Sequence, residues 1–163
     1  MLLKWTCIVL CILAVAGVIA LALGRTLPDA GGITTTERQE AANLRDQAAL
    51  AEHLAALDAA LVRQDVSRAI YEWRDAYGLA LRTREWDTMV AVGDAAVRLD
   101  TVMRGPSGYP TGFRSEARRA YIHALLRAQR DRSREGVDKI AASFDALGDA
   151  GLAAQARTLG TGR

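Results

Sequence analysis

Residues 65–101 read DVSRAIYEWRDAYGLALRTREWDTMVAVGDAAVRLDT, and their periodicity decides the fold. Val66, Ala69, Ile70, Trp73, Ala76, Tyr77, Ala80 and Leu81 recur at the three-and-four spacing of one helical face. Trp86, Met89, Val90, Gly93, Ala96 and Val97 do the same in the second half. Only Thr83 to Glu85 separates the stripes, and so short a connection sets two helices antiparallel and face to face. The stretch predicts a helical hairpin with tryptophans near its seam. It is a packing unit rather than a reaction centre.

Working outward, the pattern stays helical. Glu37 to Arg63 contains no helix breaker, and Leu50, Leu54, Leu57 and Leu61 form a coiled-coil-like seam that extends back to Leu44. Its flanks are acidic, with Glu37, Glu40, Asp46, Glu52 and Asp58 against Arg38 and Arg45. One of Thr34 to Thr36 is expected to cap this helix, and Asp65 the next one. On the other side, Arg104 to Gly112 carries three glycines with Pro106 and Pro110, which excludes a helix there. A second hairpin follows. Phe113, Ala117, Ala120, Tyr121, Ala124, Leu125 and Ala128 stripe one helix, Ser133 caps the next, and Val137, Ile140, Ala141, Phe144 and Leu147 stripe that one. Gly148 and Asp149 turn the chain into a last short helix with Leu152, Ala156 and Leu159, closed by Gly160. With alanine abundant and only 3 prolines in 163 residues, the fold class is all-α.

Trp73, Ala76, Tyr77, Ala80, Trp86, Ala96, Leu99 and Asp100 stand in an order that resembles tetratricopeptide-type (TPR-like) helical repeats. In the second unit Ala124, Gly136 and Ser143 supply small residues at the tight helix contacts of such a repeat. The chain departs from the family pattern at Tyr77, Met89 and Thr101, and the second unit lacks the tryptophan. The likeness covers about half the chain and implies a small stack of antiparallel hairpins that binds a protein partner. A plain bundle of helical hairpins is the alternative.

The N-terminus has a different character. From Trp5 to Leu23 the chain is apolar, with the thiols of Cys7 and Cys11 its only ionisable groups. About 19 residues of helix cover roughly 28 Å, enough for a hydrocarbon core of ~30 Å. That length favours a retained transmembrane helix over a cleaved signal peptide, although Ala20 and Ala22 would suit cleavage. Residues 1–24 are therefore expected to be a membrane anchor, 25–36 a flexible tether with Pro28, Gly31 and Gly32, and 37–163 the helical domain. Lys4 and the amino terminus place the N-terminus in the cytoplasm, so the helical domain is expected on the outer side of an inner membrane, in the periplasm.

Little in the chain points to catalysis. His53 and His123 have no second histidine or cysteine at ligand spacing, and both cysteines fall in the apolar segment, so no metal or cofactor is expected. His53 reads as a solvated side chain and His123 as a helix-flank residue. Cys7 and Cys11 lie one turn apart and read as small apolar residues packing in lipid. A net charge of +2 is too small for nucleic-acid binding through bulk electrostatics.

Charge is instead distributed unevenly. Arginines crowd the chain from Arg98 to Arg134, whereas the Glu37–Arg63 helix is acidic. Arg104, Tyr109, Phe113, Arg114, Arg118 and Arg119 mix arginine with aromatic residues as interface anchors do, and are the expected partner-binding residues. The competing reading sets these arginines against the acidic helix for stability alone. The function these features predict is a membrane-anchored helical scaffold or accessory subunit that docks onto a larger membrane complex, of which respiratory and photosynthetic assemblies are examples. The alternative is a periplasmic adaptor released by signal cleavage.

Overall fold

Three helices of this chain begin at a side-chain cap. The structure, a computed structural model, describes residues 34–104 and 111–161. Among them are six α-helices and no strand, so the chain is all-α as the periodicity predicts. None of these helices is long and apolar enough to cross a membrane. The expected anchor with Trp5, Cys7 and Cys11, the tether up to Ile33, and Tyr109 lie outside the described residues.

The chain divides into two compact units, Met1–Gln39 and Glu40–Arg163. In the described end of the first, Thr34 Oγ1 accepts from the Glu37 backbone N–H at 3.2 Å, while Glu37 Oε2 accepts from the Thr34 N–H at 2.8 Å. This reciprocal capping box opens helix α1, Thr35–Val62. Helix α2 spans Val66–Arg82, α3 Trp86–Arg104, α4 Phe113–Arg130, α5 Arg134–Ala146 and α6 Ala150–Thr161. Asp65 caps α2 by accepting from Arg68 N–H at 3.0 Å, and Ser133 caps α5 by accepting from Gly136 N–H at 3.0 Å.

Three of the turns share one construction. Gln64, Arg132 and Gly148 adopt positive φ of 58°, 55° and 81°. In each case the next residue's N–H reaches back to close the preceding helix: Asp65 to Ala60 O at 2.9 Å, Ser133 to Ala128 O at 2.8 Å and Asp149 to Phe144 O at 2.9 Å. Both bonds of a Schellman end are therefore present, with a new helix starting at once. Only Gly148 announces this in the sequence, because left-handed backbone at glutamine or arginine carries no compositional signal.

Helix α3 is the centre of the second unit. It packs against α2, α4 and α5, most extensively against α4. The sequence pattern shows one apolar stripe on α3, yet Thr88, Met89, Val90, Val92, Gly93, Ala95, Ala96, Leu99 and Asp100 are all buried. Neighbours on several sides explain the difference. On α2 the buried line is Ala69, Glu72, Trp73, Ala76, Leu79 and Ala80, so Leu81, expected inside, faces outward. The α4 and α5 stripes are buried or half-buried as predicted. Trp73 is buried and donates from Nε1 to Val92 O at 3.1 Å across the α2–α3 seam. Trp86 is only half-buried and sits against α5, where a Cβ on Gly136 would come within 2.9 Å of its indole.

The seam of α1 buries Leu50, Leu57 and Ala60. Polar links fasten its flank: Asp46 accepts from Arg82 Nε at 3.2 Å and Asp58 from Arg98 Nε at 2.9 Å. The acids of α1 thus answer arginines of α2 and α3.

Candidate functional site

The expected partner-binding residues lie around the end of α3 and the first turns of α4, and most are engaged inside the fold. Asp100 is buried and accepts from Arg104 Nη2 and from Thr111 Oγ1. It therefore ties together the two ends of the segment 105–110. Thr111 Oγ1 in turn accepts from Phe113 N–H at 3.3 Å. The Phe113 ring turns inward and meets Trp73 edge-on, with ring centroids 5.2 Å apart. An anchor for a partner would have to leave that contact.

Arg114 and Arg118, one turn apart on α4, clamp the α5–α6 turn. Arg114 Nη2 donates to Leu147 O, satisfying a carbonyl at the end of α5. Arg118 holds both oxygens of Asp149 at 2.7 Å, a bidentate charge-assisted pair. That hydrogen bond holds the Asp149 carboxyl below the usual carboxylate range and raises the Arg118 guanidinium above its ordinary value. Arg119 is exposed and pairs with Glu116 at 3.0 Å on its own helix. None of these three arginines pairs with the acidic flank of α1: their partners are the α5–α6 turn and a glutamate of their own helix. Arg104 and Arg114 also line a cavity of about 420 Å³ with Val97, Asp100, Thr101, Ala146 and Leu147.

Two polar constellations went unread in the sequence. The first is Glu72, 2% exposed, which accepts from His53 Nδ1 at 2.6 Å and pairs through its other oxygen with Arg68. His53 is thus a partner of α2 and not the solvated side chain expected. A carboxylate inside an apolar stripe gives no periodic signal, and its partner is 19 residues away in sequence. The His53 hydrogen bond, with help from the charge of Arg68, holds the Glu72 carboxyl below its ordinary value of 4.5 against the opposing effect of desolvation. A carboxylate with a depressed folded-state value stabilises the fold fully above its unfolded value and loses that contribution as pH falls through the folded one. Wild-type protein should therefore keep this contribution down to pH 4.5 and lose it below. His53→Ala should cost about 1 to 3 kcal/mol near neutrality and shift the acid limb of the melting profile to higher pH. Melting temperatures followed from neutral to acid pH check this, and an unmoved acid limb would show that His53 does not hold the carboxylate.

The second constellation is Arg127 of α4. Its guanidinium donates to Ala80 O at 2.9 Å, Glu85 O at 3.0 Å and Leu81 O at 3.3 Å. Arg130 adds a bond to Arg84 O at 2.8 Å. Together they cap the end of α2 and fix the α2–α3 turn onto α4. Burial lowers the Arg127 guanidinium from its ordinary value. Among the described residues no group of three or more His, Cys, Asp or Glu side chains could hold a metal ion.

Leu81, Ile122 and Leu126 stay exposed, as do Leu44, Val62, Tyr71, Val102, Met103 and Leu159, while Tyr77 is half-buried. No family model matches the chain, and neither the curated proteins nor the solved structures hold a match to it.

Proposed function

We propose that this protein is a membrane-anchored helical scaffold or accessory subunit that docks onto a larger membrane complex, without catalysis of its own. In this reading residues 5–23 span an inner membrane, with the N-terminus in the cytoplasm. The tether lifts a TPR-like stack of hairpins into the periplasm. The observation that carries the reading is the division of labour among the side chains. Glu72, Asp100, Arg118 and Arg127 hold helices to one another, while large apolar side chains such as Leu81, Ile122 and Leu126 stay exposed. Large apolar side chains on a helical surface suit a protein partner better than a small substrate.

Purification of the full-length protein from its native membrane in mild detergent tests this. The protein should resist carbonate extraction and co-migrate stoichiometrically with a larger assembly. Migration alone would overturn the scaffold reading. Carbonate release with a mature N-terminus just after Ala22 or Gly24 would replace it with the soluble periplasmic adaptor.

A further inference from the structure

We infer that a cavity between α3 and α5 binds a free amino acid with an aliphatic side chain, its ammonium on Asp94 and its carboxylate on Lys139. The inference goes beyond the scaffold reading above and does not rest on it.

The cavity has a volume of about 420 Å³. Two helical spacings place it. Asp94, Val97 and Arg98 share one face of α3, and Lys139, Ser143 and Ala146 share one face of α5. Small side chains on the α5 face leave room where the two helices meet. A volume of this order suits a small molecule.

Three charged side chains line the cavity, and one of them is already neutralised. Arg98 donates from Nε to Asp58 Oδ1 at 2.9 Å and from Nη2 to Asp58 Oδ2 at 3.4 Å. Asp94 on α3 and Lys139 on α5 remain, opposite in sign and on opposite walls. Among the described residues neither makes an ion pair, with the other or with a third group. Each is nevertheless held in place. Asp94 Oδ1 accepts from the hydroxyl of the buried Tyr121 at 2.7 Å, which leaves Oδ2 open. Lys139 Nζ lies 5.7 Å from the centre of the Trp86 ring, a cation–π contact that uses none of its N–H donors.

A simple carboxylate would find Lys139 but face Asp94, and a simple amine would meet the reverse. A zwitterion satisfies both walls with charge-assisted hydrogen bonds. Anchors already fixed by Tyr121 and Trp86 cost little further ordering when the ligand arrives. The floor selects the side chain. Val97, Ala146 and Leu147 also line the neighbouring cavity below Arg104 and Arg114, so apolar surface continues past the two charges. An aliphatic group laid on it leaves water.

The test titrates full-length protein in detergent with L-leucine, followed by calorimetry and by the indole N–H resonances. Binding should be saturable, with a Kd of about 1 mM or tighter. Isocaproate lacks the ammonium, isoamylamine the carboxylate and glycine the side chain, and each should bind at least about tenfold more weakly. Lys139→Gln should erase the preference for leucine over isoamylamine, and Asp94→Asn the preference over isocaproate. These crossed losses tell which end of the ligand each residue holds. Lys139 is exposed and asparagine still accepts from Tyr121, so both variants should melt with wild type. Leucine should also move the Trp86 indole resonance in wild type and leave it unmoved in Lys139→Gln. No saturation up to about 10 mM leucine, or wild-type affinity in Lys139→Gln, would overturn the inference. Phosphoethanolamine binding as tightly as leucine would overturn it too, and would give the cavity to a zwitterionic headgroup. Co-migration with a native complex is read separately, so the scaffold reading stands or falls without this result.

Discussion

Trp73→Ala should remove most of the stability of the helical domain. Trp73 is 6% exposed, and three helices meet on it. Its Nε1 reaches Val92 O of α3 at 3.1 Å, its ring lies 5.2 Å from Phe113 of α4, and Tyr77 of its own helix is 5.3 Å away. Truncation removes the transfer free energy of a large aromatic and leaves a cavity that α2, α3 and α4 cannot all close. The cost should be about 3 to 5 kcal/mol. A domain of this size holds about 5 to 15 kcal/mol in total, so the urea midpoint should fall steeply. Trp73→Phe keeps much of the volume and loses the hydrogen bond, and should sit between the two. A Trp73→Ala midpoint close to wild type would mean that α2 does not pack on α3 and α4 through this residue.

The same tryptophan shows what the sequence could tell. Its place in a three-and-four stripe beside Ala69, Ala76 and Ala80 makes its burial legible, because helix periodicity is a local property. Caps at Asp65 and Ser133, the Gly148 turn and the stripes of α4 and α5 are legible for the same reason. The centrality of α3 is not, since a stripe reports one packed face and α3 has neighbours on three sides. Polar partnerships are the least legible. Arg118 reads as a surface anchor from its neighbours in sequence, but its partner Asp149 is 31 residues on. Arg127 meets carbonyls 42 to 47 residues back, and a carbonyl has no letter in the sequence. Arginine surplus therefore signals docking and internal capping alike, and only geometry divides them. The outward turn of Leu81 is equally hidden, because its spacing places it in the α2 stripe and yet it is 46% exposed.

Gly93→Ala should destabilise the domain although alanine is the better helix former. A Cβ at Gly93 would lie 2.4 Å from Tyr121 Cε1 and 2.7 Å from its Cδ1, inside any tolerable contact. The tyrosine has little freedom to yield. It is 2% exposed, donates to Asp94 Oδ1 at 2.7 Å, and meets Phe144 edge-on at 5.7 Å. Burial, then the bond to Asp94, raises its phenol well above the ordinary value, so it stays neutral and remains a donor. Either α3 and α4 move apart or Tyr121 gives up that bond. Overpacking of this kind costs about 1 to 3 kcal/mol, against about 1 kcal/mol returned by helix propensity. Gly78 supplies the control within the same fold, because a Cβ there meets nothing within 4 Å. Gly78→Ala should therefore stabilise by about 1 kcal/mol, opposite in sign to Gly93→Ala. The clash itself is isolated by a double-mutant cycle. In a Tyr121→Ala background the ring is gone, and Gly93→Ala should turn neutral or mildly stabilising. Equal effects of Gly93→Ala in the two backgrounds would show that the α3–α4 contact is not set by this glycine and this ring.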